Sequence, residues 1–276
     1  MKEKRITVFV KYLVLLIASI FVLFPFVWTV ITSIKPEVQI FAIPTIWFPH
    51  PVTLKNYFDV FSTGEFQARL LNSVIISVIS TFISMIVGIP AAYAFARYPY
   101  KGSNLAFWLI ASLRMLPTVI LGVPIFFMMR NIGLLDTRLG LIIIYLPFQL
   151  ALSIWLLYGG FKKLPYELEQ AAFMDGLGIF GTMLRIALPI SVPTIGVAAV
   201  FSFLQSWNEF FFAMMTTSSS KAMTLPVYIA GNVTTQRVFW GRMTAMATLY
   251  AIPAIVFTLI AQKGLVKGLT AGAIKE

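Results

Sequence analysis

Six stretches of this chain are long and apolar enough to cross a lipid bilayer, and no other feature limits its fold as much. They cover residues 12–32, 70–95, 105–129, 139–158, 191–212 and 244–262. A helix rises 1.5 Å per residue, so about 20 apolar residues bridge the hydrocarbon layer. Inside that layer each backbone N–H and C=O must find its partner within the protein, which a helix does by itself. A chain of 276 residues could hold one or two soluble domains, but 59% hydrophobic and 11% charged residues exclude that class. The expected fold class is therefore all-α, a polytopic membrane protein with six transmembrane helices. The lipid bilayer is its first partner.

The connecting segments set the topology. Lys2, Lys4, Arg5 and Lys11 precede the first span, no small-residue cleavage site follows it, and Pro25 should kink it. It is read as a retained helix with its N-terminus in the cytoplasm. Residues 35–68 turn to Pro, aromatic and mixed charge, an external loop with one or two short interfacial helices. The basic turn Arg97-Tyr98-Pro99-Tyr100-Lys101 lies inside, the turn from Arg130 to Arg138 outside, and the Ser/Thr-rich residues 214–241 outside again. Six spans return the C-terminus to the cytoplasm, and the Lys/Arg distribution agrees modestly with the positive-inside rule. The net charge of +11 flanks apolar spans, so it reports membrane topology and implies no nucleic acid. The divisions expected are 1–68 (first span and external loop), 69–262 (a core of five spans with a loop at 160–189) and 263–276 (a cytoplasmic tail).

The loop between spans four and five, FKKLPYELEQAAFMDGLGIFGTMLRIALP, is too polar to enter the bilayer. Pro165 suits a first helical turn, and Glu167 and Glu169 follow where the helix dipole favours anions. Leu164, Leu168, Ala171, Ala172 and Asp175 share one face, which becomes small and apolar in its second half. Gly176 and Gly178 should stop the helix. A second short helix at 179–188, carrying Arg185, should end at Pro189. Such a helix has the shape of a docking element, and no side chain in it is a poised nucleophile.

Catalytic signatures are missing from the sequence. It has no G-x-x-x-x-G-K-[ST] loop, no G-x-S-x-G elbow and no H-E-x-x-H. With no Cys and one His, His50 in a Pro-rich loop, there is no metal set, no disulfide and no expected cofactor. The chain is read as a transport subunit and not an enzyme. Arg114 lies within span three, where an unpaired guanidinium would cost roughly 3 kcal/mol, so it should face a cavity or a partner. Asn208 and Glu209, in the run Trp207-Asn208-Glu209-Phe210, lie near the outer end of span five. Arg114, Asn208 and Glu209 are the candidates for the translocation path or its gate.

The order Glu169, Ala171, Ala172, Asp175, Gly176, then Leu188-Pro189 resembles the EAA loop of ABC-importer permeases, E-x-A-A-x-x-D-G with a later L-P. Ile132-Gly133-Leu134, Trp207-Asn208-x-Phe210 and the tail Gly268-Leu269-Thr270-x-Gly272-Ala273 are similar to the carbohydrate-uptake, maltose-type branch of these permeases. Gln170 departs from the pattern where a second acid is frequent. The resemblance implies a cytoplasmic coupling helix that docks an ATPase through Glu169, Ala171, Ala172, Asp175, Gly176, Gly178 and Pro189, with Glu169 ion-paired to that ATPase. It implies that this chain forms half of a translocation pore in a bacterial or archaeal cytoplasmic membrane. The partners implied are a second, non-identical permease subunit, cytoplasmic ATP-binding subunits that hydrolyse ATP, and an external solute-binding protein. The main rival from another class is a stand-alone secondary transporter or channel, which would need a coupling acid inside the membrane.

Overall fold

The computed structural model describes residues 2–233 and 238–272, with side chains over 7–233 and 238–260. Its helices are α1 (Lys2–Ser33), α2 (Glu37–Ile40), α3 (Lys55–Ser62), α4 (Glu65–Arg97), α5 (Ser103–Ser112), α6 (Thr118–Asn131), α7 (Arg138–Phe161), α8 (Tyr166–Met174), α9 (Ile179–Thr182), α10 (Leu188–Ile190), α11 (Val192–Trp207), α12 (Phe211–Thr216), α13 (Leu225–Ala230) and α14 (Trp240–Gly272). Four helices are long and apolar enough to cross a membrane unbroken, and two bent pairs bring the number to six. The six-span, all-α expectation agrees with this.

The breaks differ from what periodicity suggests. Span three is two helices, Ser103–Met115 and Thr118–Asn131, meeting at 98°. Pro117 occupies the break with extended backbone, because proline has no N–H for the helical ladder and restrains the residue before it. Span five was expected over 191–212, but its helix ends at Trp207, and Phe211–Thr216 forms a separate turn. On its other side Ile179–Ile190 meets Val192–Trp207 at 82°. The expected stop at Pro189 is replaced by a π-turn, Met183–Ala187, that leads directly into α10. Leu188 N–H reaches back five residues to Met183 C=O, and this widened ring lets the chain continue through a residue without an N–H. The final helix runs on to Gly272, so the backbone of 263–272 is helical. The side chains of that tail, and Ala273, lie outside the described residues.

The chain divides into two compact units, residues 1–67 with 228–252 and residues 68–227 with 253–276. In the first, the end of α1 is fastened to the loop that follows. Lys35 Nζ donates to Ile46 C=O at 2.5 Å and lies 4.2 Å above the Trp28 ring. Asn56 Nδ2 donates to the carbonyls of Ser33 and Lys35 at 2.8 and 3.2 Å. The expected short helices of this loop are α2 and α3.

In the second unit α7 is the central element. More than half of its spanning window is buried, the highest share of the four unbroken spans. Thr137 starts it by accepting the Gly140 N–H at 3.0 Å. Along one half Leu141, Ile144 and Tyr145 pack with Ile76, Met129 and Phe212. Along the other half Ile154, Leu157 and Phe161 pack with Tyr93, Met183 and Ala198. A Cβ built on Gly160 would lie 2.4 Å from Thr194, so α7 and α11 approach closely there. Asn72, fully buried, uses its whole amide: Arg138 Nε donates to its Oδ1 at 2.8 Å, and its Nδ2 donates to the Ser220 and Met223 carbonyls, each at 3.0 Å.

Candidate functional site

The loop between spans four and five is built on a buried ion pair. Glu169 is 1% exposed. Its Oε1 accepts from Arg97 Nε at 2.7 Å and its Oε2 accepts from the Tyr93 hydroxyl at 3.0 Å. Arg97 also donates through its second nitrogen to Leu164 C=O at 2.7 Å. One guanidinium thus holds the carboxylate of α8 and the backbone that leads into it. Two hydrogen bonds meet the carboxylate's lone pairs, the condition under which a buried charge is tolerated. The Tyr93 ring rests edge-on against Phe161, so this latch sits directly on the core of the unit. The resemblance gave Glu169 an ion pair to an ATPase, and the structure gives it a different one, within the chain. Sequence reasoning missed Arg97 and Tyr93. Arg97 closes a span in a basic turn, where topology alone accounts for a cation.

The rest of the loop follows from this latch. With Glu169 and Ala172 turned inward, Leu168, Gln170, Ala171, Met174 and Asp175 are exposed. The small-residue face therefore points away from the core, Ala172 excepted. Gly176 has φ +84°. Its N–H bonds Phe173 C=O and the Leu177 N–H bonds Ala172 C=O, each at 3.0 Å. This is a Schellman ending, and its left-handed residue favours glycine. Gly178 has negative φ and serves instead as the residue that opens α9. Beyond it Ile179 and Phe180 are exposed, 56% and 66%. Pro189 is exposed as well but lies after the π-turn, on α10.

The three path candidates fall in different surroundings. Arg114 lies in the 3-10 turn Leu113–Met115 at the break of span three. It is exposed, 5.9 Å from the Trp155 ring, and lines a hollow of about 430 Å³ with Trp108, Met115 and Trp155. Asn208 is exposed at the end of α11. Glu209 turns inward in the break between α11 and α12. Its Oε2 accepts from the Tyr145 hydroxyl at 2.7 Å and Ala213 N–H at 3.1 Å, and its Oε1 from Phe212 N–H at 2.8 Å. It lines a second hollow, about 170 Å³, with Thr118, Tyr145, Gln149, Gln205 and Ser206. Gln149, inside span four, is not among the candidates that the sequence picks out. A buried amide midway along an apolar span is itself a signal of function. Among the described residues no three His, Cys, Asp or Glu side chains gather to hold a metal.

Residues 84–270 match the family model described as binding-protein-dependent transport system inner membrane component. The chain is 37% identical over 258 residues to the trehalose transport system permease protein SugB of Mycobacterium tuberculosis, covering 92% of this chain and 93% of that one. It is 34% identical to the trehalose/maltose transport system permease protein MalG of Thermococcus litoralis, covering 94% of each. Among solved structures, a chain of a bacterial ABC transporter involved in the import of the acidic polysaccharide alginate superposes with a TM-score of 0.78 at 23% identity, over 95% of this chain and 98% of that one. That last likeness concerns the fold alone. A polar helical loop latched to a helical membrane core, together with relatives matched over nearly their whole length, leads to one conclusion: the chain belongs to the family of binding-protein-dependent transport system inner membrane components, the permeases of ABC importers.

Proposed function

We propose that this chain is one of two non-identical permease subunits of a carbohydrate importer, with ATP-binding subunits docked at α8 on the cytoplasmic side and a solute-binding protein on the outer side. Its N- and C-termini lie in the cytoplasm, on the side of Arg97, Lys101, Lys162 and Lys163, as the positive-inside rule expects. Hydrolysis belongs to the ATP-binding partner, and the sequence carries no phosphate-binding loop of its own.

One observation carries this reading. The latch at Glu169 fixes α8 to the end of α4 while leaving Leu168, Ala171, Met174, Ile179 and Phe180 uncovered. A short helix with small and apolar residues outward, held rigidly by a buried ion pair, transmits a push instead of absorbing it. When the ATP-binding subunits close, α8 moves. Arg97 carries that displacement into α4, and the close contact at Gly160 carries it between α7 and α11. Glu169 acts inside the subunit as a positioning residue. Ala171, Asp175 and the turn at Gly176 face the partner. Arg114, Asn208 and Glu209 belong to the translocation path or its outer gate, with Glu209 fixing the start of α12.

The test is a mild-detergent pull-down of the tagged chain from its native membrane, comparing wild type with Ala171→Asp, Met174→Asp and Gly176→Leu. Wild type is expected to bring down an ATP-binding protein and a second permease. The three variants are expected to keep the permease and lose the ATP-binding protein, and ATP-driven uptake with it. Recovery of the chain alone, as a homo-oligomer in all four samples, would overturn the reading in favour of a secondary transporter or channel.

A further inference from the structure

The hollow beside Glu209 has a chemistry that the coupling loop does not explain. Gln149 is 1% exposed and lies midway along α7. Its Nε2 donates to Ser202 C=O at 2.9 Å, and its Oε1 is buried without a hydrogen-bond partner. Gln205 Oε1, on α11, is likewise buried without one. An unmatched buried amide oxygen is destabilising, so two at one cavity mark a place where an occupant supplies the donors.

The lining says what kind of occupant. Phe148 and Phe212, stacked at 5.5 Å with 29° between their planes, form an apolar wall. Thr118 and Ser206 add hydroxyls. The lining includes no Lys, Arg or His, and its one carboxylate already accepts three hydrogen bonds, so an anion finds no counter-charge. About 170 Å³ is well below the roughly 300–1,000 Å³ of sites that enclose drug-sized ligands. It exceeds what a dehydrated metal ion needs with its ligands at about 2–2.6 Å.

We propose that this hollow is a binding site for one neutral sugar ring of the transported solute: two amide oxygens take its hydroxyl protons and the paired phenylalanines take its C–H face. The site rests on the carbohydrate-importer reading and adds that this subunit itself holds the solute. It also narrows the solute class, since uronates and sugar phosphates are excluded here.

The chain has no cysteine, which permits a clean test in membranes containing the whole transporter. A single Thr118→Cys is labelled with a methanethiosulfonate reagent, and the rate is followed by the mass of the tagged chain. Maltose or trehalose is expected to slow labelling, while glucuronate and Na⁺ have no effect. Adding Gln149→Leu, or separately Gln205→Leu on the other helix, is expected to raise the half-protecting sugar concentration about tenfold. Sugar uptake without protection, unchanged protection in both variants, or protection by Na⁺ alone would overturn the site and leave the importer reading standing. No ATP-driven uptake of any sugar by wild-type membranes would overturn the carbohydrate reading, and this occupant with it.

Discussion

Glu169 and Glu209 are both carboxylates turned into the protein, and they are held in opposite ways. Glu169 has a cation, Arg97, with both side chains almost wholly buried. Glu209 is held by neutral donors, the Tyr145 hydroxyl and the N–H groups of Phe212 and Ala213. The first arrangement is a fastener between two segments far apart in the chain. The second fixes the start of a short helix and leaves negative character beside a cavity. A buried ion pair suits a part that must move as one piece with its neighbour. A carboxylate with neutral donors fixes one wall of a hollow in place.

The largest loss is expected at the ion pair. Glu169→Ala or Arg97→Ala leaves one buried charge without its partner, and each is expected to cost about 3–5 kcal/mol in the thermal or denaturant stability of the purified chain. The double substitution Glu169→Leu with Arg97→Met is expected to restore most of that stability, because two apolar groups replace the pair. An equally severe loss in the double variant would show that the charges are not what holds α8.

A smaller effect is expected at the other carboxylate. Glu209→Ala removes the acceptor of the Tyr145 hydroxyl bond and of two N–H groups, and should cost about 1–3 kcal/mol. Glu209→Gln keeps the shape and part of the bonding, so its stability should fall by about 1 kcal/mol while uptake drops with assembly intact. Uptake at the wild-type rate in Glu209→Gln would remove this residue from the path.

Within the loop, Gly176→Ala forces a left-handed conformation on a residue with a side chain and should cost about 1–2 kcal/mol. Gly178→Ala, with negative φ and open space around it, should leave stability unchanged. Equal effects from the two would mean that the Schellman turn does not set the loop.

The smallest effect is expected at a third carboxylate, Asp136. Partial burial pushes its pKa up, but the Ser219 hydroxyl at 2.5 Å, the N–H groups of Ser218 and Ser219 and nearby Lys221 more than offset this and hold it below the usual range. A depressed carboxyl pKa stabilises above the unfolded value and loses that contribution as pH falls through the folded value. A pH titration of stability should therefore show a slight loss specific to Asp136 below about pH 4, absent in Asp136→Asn.

Much of this was legible in the residues. Apolar run length determined six spans, because lipid offers the backbone no hydrogen bonds and only whole helices of that length satisfy it. Local spacing determined the helix of the loop between spans four and five: Pro165 at its start, Gly176 at its end and Ala171 between them are choices that backbone geometry makes within one turn. The tertiary structure decided the rest, for a reason that hydropathy does not encode. Whether Pro117 bends a span by 98° or is absorbed, as Pro147 is within α7, depends on what packs on either side. Glu169 and Arg97 lie 72 residues apart, so only the packing of α8 on α4 makes the acid inward and turns its neighbours outward. Gln149 and Gln205 read as isolated polar residues in two apolar runs, and they become one site because α7 and α11 are neighbours in space. Sequence sets what each segment can be by the cost of exposing its own backbone and side chains. Packing decides which segments meet, and function here lies in those meetings.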